Sequence, residues 1–164
     1  MSLQQNIKTD LIVVGSGIVG MACALAAIKD GLSVQVIDRE SVCTGASIRN
    51  FGFVTVTGQG SGATWRRARR SRDVWAEVAP LAGIDVEHAG LFVLAQCAQA
   101  QTVLQQLMAT EEGKALEWLG PEQLAQRAPH LAHAHVCGAL YSPHELRIES
   151  RLAVERLRQW LARQ

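Results

Sequence analysis

DLIVVGSGIVGMACALAAIKDGLSVQVID, Asp10–Asp38, carries the most information in this chain. Its opening run, Leu11, Ile12, Val13 and Val14, does not alternate with polar residues, which predicts a strand buried on both faces, as in a parallel sheet. Gly15–Gly20 (GSGIVG) follows at once. Ile18, Met21, Ala22, Leu25 and Ile28 then recur at helical spacing until Asp30 and Gly31 end the helix. Ser33–Ile37 (SVQVI) is a second, β-branched run ending at Asp38. Together these segments predict a strand–helix–strand unit with a right-handed crossover.

A G-x-G-x-x-G hexapeptide alone is weak evidence, but here it follows a strand, opens a helix and is succeeded by an acid at the end of the next strand. Each residue type has a physical task. Gly15 permits the tight turn, Gly17 lets backbone approach a pyrophosphate, and Gly20 lets the helix lie against the strand. The first helical residues, Ile18 and Val19, belong to the positive helix end that holds the anion. Asp38 is placed to accept hydrogen bonds from the ribose hydroxyls of an adenosine. The simpler reading, a sharp strand-to-helix turn with no ligand, needs the glycines but not Asp38.

The elements after Asp38 separate the dinucleotides. A nicotinamide domain continues with a helix and a third parallel strand. This chain instead enters a Gly/Ser/Thr-rich segment, Cys43–Thr64, read as loop and not core, which favours FAD. At this point the sequence resembles the D-amino acid oxidase-like flavoproteins, which include glycine oxidase and sarcosine oxidase. The resemblance rests on Gly15, Gly17, Gly20, Asp38 and Arg39, then on Gly45, Ala46, Ser47, Arg49, Asn50 and Gly52 in GASIRNFG. It implies that the acid holds the ribose and that the following loop wraps the pyrophosphate and the flavin edge. Ser47 and Asn50 can donate hydrogen bonds there, and Arg49 can oppose phosphate or substrate charge.

The segments GASIRNFGFVTVTGQ, WRRARRSRDVW and SPHELRIESR further resemble a bacterial subfamily associated with phosphonate breakdown, which implies an aminoalkylphosphonate or its N-methyl form as substrate. Where that pattern has V-D-P, this chain has Ile148-Glu149-Ser150 and so lacks a proline to start the final helix.

The resemblance implies an α/β fold: a Rossmann-like FAD-binding βαβ unit of the glutathione-reductase-like type, followed by part of an α+β substrate domain. Residues 1–64 are expected to open a discontinuous FAD domain, 65–146 to begin the substrate domain, and 147–164 to form a helix leading back. Family members run to well over twice 164 residues. The chain is therefore expected to be an incomplete N-terminal portion that by itself binds FAD weakly or not at all, with catalytic residues elsewhere. The implied activity is oxidation of the C–N bond of a small amine or amino acid by hydride transfer to flavin. An NAD(P)-dependent reductase and a noncatalytic nucleotide-binding fragment are the alternatives.

The remaining elements follow from spacing. A helix is predicted from Thr64 to Ala79, closed by Pro80, with Trp65, Ala68, Trp75 and Val78 on one side. Gly90–Ala95 reads as a strand, residues 98–112 as a helix ended by Gly113, and Pro121 to Arg127 as a helix begun by Gly120-Pro121. Val136–Tyr141 reads as a strand, and a last helix from Glu149 is still running at the terminus. No internal repeat is present.

Composition limits the other function classes. Hydrophobic residues make up 48% and charged residues 19%, against about 25% charged in an average domain, which excludes disorder and coiled coil. A net charge of +1 gives no general pull toward nucleic acid or anionic membrane. The uncharged run Leu11–Ile28 approaches a membrane span in length, but its regularly placed glycines and the strand that follows argue against one. Four cysteines without CxxC spacing read as reduced thiols in a cytoplasmic protein. Arg66, Arg67, Arg69, Arg70 and Arg72 between two tryptophans resemble a nucleic-acid patch, yet the tryptophans share a helical face, so they are expected to pack inward while the arginines solvate the other side. His130, His133, His135 and Cys137 form a series with zinc-like ligands but no second ligand pair, so a surface turn is expected. His88 and His144 stand alone and receive no role. No motif for a hydrolase or kinase is present.

Overall fold

A computed structural model describes residues 8–133 and 135–164. The expected opening of the first domain, residues 1–7, lies outside the described residues. The described chain divides into two compact units, one built from the residues up to Gly52 with Glu77–Asp85 and Ile148–Gln164, the other from Phe53–Ala76 and Val86–Arg147.

The first unit contains strand β1 (Leu11–Val14), helix α1 (Ile18–Lys29) and strand β2 (Val34–Ile37). β1 and β2 pair in parallel, with Leu11 opposite Val34 and Val14 opposite Ile37. A single 3-10 turn, Ala46–Ile48, follows. The run that approached a membrane span in length is thus broken into strand, turn and helix, and no helix among the described residues is long and apolar enough to cross a membrane.

The expectation that β1 is buried on both faces is corrected. Val13 is buried, but Ile12 and Val14 are 53% and 84% exposed. Alternate residues of a strand point to opposite faces, and α1 covers only the Val13 face.

Helix α5 (Ser150–Leu161) packs beside α1 and the 3-10 turn. It starts where the missing proline raised the question, because the Glu149 carboxylate accepts the Arg151 and Leu152 N–H groups at 3.1 and 2.7 Å and caps the helix itself. It does not run to the terminus: Ala162 forms its C-cap, and Arg163 N–H and Gln164 N–H close short turns onto Trp160 and Leu161.

The second unit holds β3 (Phe53–Val54), most of helix α2 (Ala63–Leu81), strand β4 (Val86–Ala95), helix α3 (Ala98–Met108), strand β5 (Glu117–Leu119), helix α4 (Pro121–Arg127) and strand β6 (Gly138–Ile148). β6 lies between β3 and β4 in the sheet. β3 and β5 both run antiparallel to it, β5 along Ala139–Tyr141 and β3 along Leu146–Arg147. Leu119, Leu124, Ala128, Val136 and Ala139 form a buried cluster under α4.

Several boundaries differ from expectation. Pro80 lies inside the last turn of α2 instead of closing it; Gly83, at φ +67°, makes the turn. A proline this late removes one hydrogen bond near the helix end. β4 begins four positions before Gly90, at Val86. α3 stops at Met108, because Thr110 donates both its N–H and its hydroxyl to the Leu107 carbonyl and folds the chain back. The segment Cys43–Thr64 is not wholly loop: Phe53–Val54 joins the sheet and Val56 is fully buried. β6 runs to Ile148 instead of Tyr141, carrying Pro143 within it, and β5 is an additional short strand with no counterpart in the sequence pattern.

Candidate dinucleotide site

The glycine turn joins β1 to α1, and the Gly15 amide donates to the Ile37 carbonyl at 2.7 Å, tying the turn to the end of β2. Gly15 has φ +101°, in the region that L side chains avoid. At Gly20 a Cβ would lie 1.9 Å from the Gly15 carbonyl oxygen and 3.3 Å from Val13 Cγ1. Only glycine lets α1 approach the strand this closely. Gly17 is the α1 N-cap and offers no side chain to the helix, whose first turn carries no acid. The first helical hydrogen bond runs from Met21 N–H to Gly17 C=O. The earlier amides of Val19 and Gly20 therefore have no intrahelical partner and carry the positive end of the helix dipole.

Ser47, from the 3-10 turn, reaches this helix end. Its Oγ accepts the Ile18 N–H at 3.0 Å and would sit 3.1 Å from a Cβ at Gly17. An accepting hydroxyl keeps its own proton to donate, so Ser47 extends the row of donors.

Asp38 turns toward the same loop. Its Oδ2 accepts the Ser16 N–H and the Ser16 hydroxyl, the latter at 2.7 Å, and its Oδ1 accepts the Glu40 N–H at 2.9 Å. The Glu40 backbone hydrogen bond, followed by those from Ser16, holds its carboxyl well below the usual carboxylate range. A carboxylate has about four acceptor positions. These three donors leave room for a further one, and the Ser16 hydroxyl is the donor that can rotate away to free another position.

Beside Asp38 and Ser16 lies a cleft of about 290 Å³ with apolar walls from Met21, Ala24, Val34, Val36 and Leu161, and with Arg158 at its rim. Arg158 donates to the Ser41 carbonyl and pairs with Glu155, and its charge also favours the ionised Asp38. Sequence reading missed Arg158: it sits beside the buried Val154 and Leu161 on the packed face of the last helix, but a single charged residue there carries no motif of its own.

The other expected residues divide by what they touch. Asn50 is committed to its own loop: its side-chain amide donates to Ser47 C=O at 2.9 Å and to Ala46 C=O at 3.3 Å, and its oxygen accepts the Gly52 N–H at 2.8 Å. Gly52, at φ +71°, lets the chain pass Ile148, whose carbonyl oxygen would be 2.0 Å from a Cβ there. A Cβ at Gly45, which precedes Ala46 at the turn, would meet nothing within 4 Å. Arg39 pairs with Glu40 at 2.9 Å and is otherwise in solvent. Arg49 is exposed.

Two further constellations take their place. The expectation that the α2 arginines all solvate one side is corrected for Arg69 and Arg72. Arg69 stacks over Trp65 and lies against both ring nitrogens of His144, 2.8 Å from Nε2, while the Arg72 side chain is only 20% exposed. For Arg69 the cause is that β6 presents His144, a buried polar residue, for it to meet. His133 and His135 stand edge to face with ring centroids 6.4 Å apart, and among the described residues no three His, Cys, Asp or Glu side chains form a group that could hold a metal ion.

Residues 10–164 match the family model DAO, described as FAD dependent oxidoreductase. The chain belongs to this family. No curated protein matches it. Among solved structures, glycine oxidase from Bacillus cereus ATCC 14579 superposes with a TM-score of 0.73 at 20% identity, over 94% of this chain and 44% of its own. L-proline dehydrogenase from P. horikoshii gives 0.73 at 20%, over 95% and 42%. L-alpha-glycerophosphate oxidase from Mycoplasma pneumoniae, a dithionite-reduced structure with FAD bound, gives 0.74 at 16%, over 94% and 42%. The likeness establishes the shared DAO fold: a parallel βαβ unit and an antiparallel sheet. The chain spans less than half the length of each of these relatives.

Proposed function

We propose that this DAO-family chain supplies the pyrophosphate- and ribose-binding part of an FAD-dependent enzyme that oxidises the C–N bond of a small amine or amino acid. The observation that carries the reading is the meeting, at one helix end, of the free α1 amides, the Ser47 hydroxyl and the Asp38 carboxylate. A diphosphate needs the first two and a ribose needs the third. Membership in an FAD-dependent family favours flavin over nicotinamide. In this reading the Gly15–Gly20 turn and Ser47 hold the pyrophosphate, Asp38 holds the ribose, Gly45, Ala46 and Arg49 line the loop toward the cofactor, and the unit built on β6 contributes to the substrate domain. FAD, when bound, supplies the hydride acceptor for the carbon next to nitrogen.

Support for C–N oxidation comes from two relatives named as glycine oxidase and L-proline dehydrogenase. The third is named for glycerophosphate, a C–O substrate, so the substrate panel must include both. An aminoalkylphosphonate or its N-methyl form is the finer proposal, supported by the likeness of GASIRNFGFVTVTGQ, WRRARRSRDVW and SPHELRIESR to the phosphonate-associated subfamily.

The test is to express the full reading frame that encodes this chain, load it with FAD, and follow loss of the oxidised flavin band under anaerobic mixing with glycine, L-proline, aminoethylphosphonate, N-methylaminoethylphosphonate and glycerol 3-phosphate. Bleaching by an amine and not by glycerol 3-phosphate supports the reading. Bleaching by glycerol 3-phosphate alone overturns it.

A further inference from the structure

Helix α5 reaches both loops that supply the cofactor site. At its start the Ser150 hydroxyl donates to the Asn50 carbonyl at 2.8 Å, across 100 residues of sequence. Asn50 passes the connection on: its side-chain amide donates to the Ser47 carbonyl at 2.9 Å, and Ser47 Oγ accepts the Ile18 N–H at the N-terminus of α1. About two turns further along α5, Arg158 Nη1 donates to the Ser41 carbonyl at 3.3 Å. Ser41 ends the short segment after β2 in which the Glu40 N–H holds Asp38 Oδ1, while Asp38 Oδ2 takes the Ser16 amide and hydroxyl. One helix thus ties down the loop that carries Ser47 and the loop that carries Asp38.

The packing supports both ties. α5 lies against the Ala46–Ile48 turn and against α1. The Arg158 side chain is only 24% exposed, with Glu155 at 3.4 Å beside its guanidinium, and it lines the same cleft as Asp38 and Ser16. Ser150 is a departure from the resembled pattern, which has a proline there and so no side-chain donor. Because Glu149 caps the helix, the Ser150 hydroxyl is available to Asn50. The two loops have no sheet ladder to hold them, apart from the single 3-10 turn. A donor or acceptor on such a loop must be ordered when ligand binds, and every tie made beforehand lowers that cost.

We propose that Ser150 and Arg158 are positioning residues of the cofactor site, through which α5 sets Ser47 for the diphosphate and Asp38 for the ribose. This role rests on the FAD reading above. Neither residue touches the ligand; each acts through the loop it holds. The two ties serve different parts of the ligand, so their losses are separable. Without Arg158 the segment 38–41 is freed and ribose recognition suffers, whereas without Ser150 the effect falls on Ser47 and the diphosphate.

The experiment measures the affinities of the unaltered chain, Arg158→Met, Arg158→Lys and Ser150→Ala for ADP, its 2′,3′-dideoxy analogue and inorganic pyrophosphate, from backbone amide shifts at residues 16–20. Arg158→Met keeps the apolar stem beside the cleft. It should weaken ADP about three- to tenfold, the scale of one hydrogen bond, and leave the dideoxy analogue and pyrophosphate unchanged, erasing the preference for an intact ribose. Arg158→Lys should restore part of that preference. Ser150→Ala should weaken all three ligands by a common factor on the same scale. An equal loss of all three ligands in Arg158→Met marks a merely structural role and overturns the assignment of Arg158, and unchanged affinities in either variant overturn the role of that residue. Should Arg158→Met not fold, the unaltered chain still decides: the Arg158 Nε–H resonance should move with ADP and not with the dideoxy analogue, and a resonance that stays put at saturating ADP overturns its role. Failure of the unaltered chain to bind ADP defeats the FAD reading and this inference with it, whereas ADP binding indifferent to both substitutions defeats this inference alone.

Discussion

Gly20 and Gly45 belong to the same expected cofactor site but are under different constraints. A methyl group at Gly20 would strike the Gly15 carbonyl, whereas at Gly45, with φ −86°, it would meet nothing within 4 Å. Gly20→Ala is expected to destabilise the chain by about 1–3 kcal/mol, the usual scale of overpacking. Gly45→Ala should stay within about 0.5 kcal/mol of the unaltered chain, both read from urea midpoints. Asp38 makes a pH-dependent demand. Its folded pKa lies below the unfolded value of about 3.9, because the Glu40 and Ser16 donors favour the ionised form. Its stabilisation is complete above that value and is lost as pH falls through the lower folded one. The melting temperature of the unaltered chain should accordingly drop more steeply between about pH 4 and pH 2 than that of Asp38→Asn, measured by circular dichroism at matched ionic strength. Parallel acid limbs would show that these hydrogen bonds are not retained in solution.

Helix α5 and strand β6 show what an element's own sequence does and does not reveal. The absence of a proline before α5 leaves its start open, and the structure fills the gap with Glu149 as a cap. Glu149→Ala should cost about 1 kcal/mol, within the range for lost N-caps, seen as a lower urea midpoint with an unchanged slope. β6 is legible only as far as Tyr141, because Ser142-Pro143-His144-Glu145 has neither the alternation nor the β-branched residues that mark a strand. Its continuation depends on partners distant in the chain: Arg69 for His144, and the Val56 and Thr57 amides for Glu145. The same long-range demand turns Arg69 inward, against the helical-face argument. By contrast β1, the glycine turn, α1 and β2 are all legible as elements, since their pattern is set by residues within one short unit. The exposure of Ile12 and Val14 is not, because a run of apolar residues does not say which face a helix will cover. Asn50 and Gly52 also have structural roles that the motif does not reveal. Their residue types stand out in the sequence, but the contacts they make are with their own loop and with Ile148.

Among the described residues, several exposed large apolar side chains lie on the first unit's sheet, where Ile12, Val14 and Ile37 are 53%, 84% and 47% exposed. Within β1, Ile12 and Val14 alternate with the buried Val13, so one face of the β1–β2 pair is apolar and open, and a pair of strands with open edges favours self-association. Replacing Val14 by Thr should raise the concentration at which the chain remains monomeric, checked by light scattering, with little change in melting temperature. Val13→Ala, on the buried face, should destabilise it by about 1–3 kcal/mol. That the first unit cradles a diphosphate next to a ribose-binding carboxylate can be probed by titrating the chain with ADP while following backbone amides. ADP requires only that cradle, so the titration does not depend on the rest of an FAD site. Saturable shifts should concentrate at Ser16, Gly17, Ile18, Val19, Gly20 and Ser47, with affinity reduced at least tenfold by Asp38→Ala. Shifts absent at saturating ADP, or centred on residues away from the α1 N-terminus and insensitive to Asp38, would show that no such cradle exists.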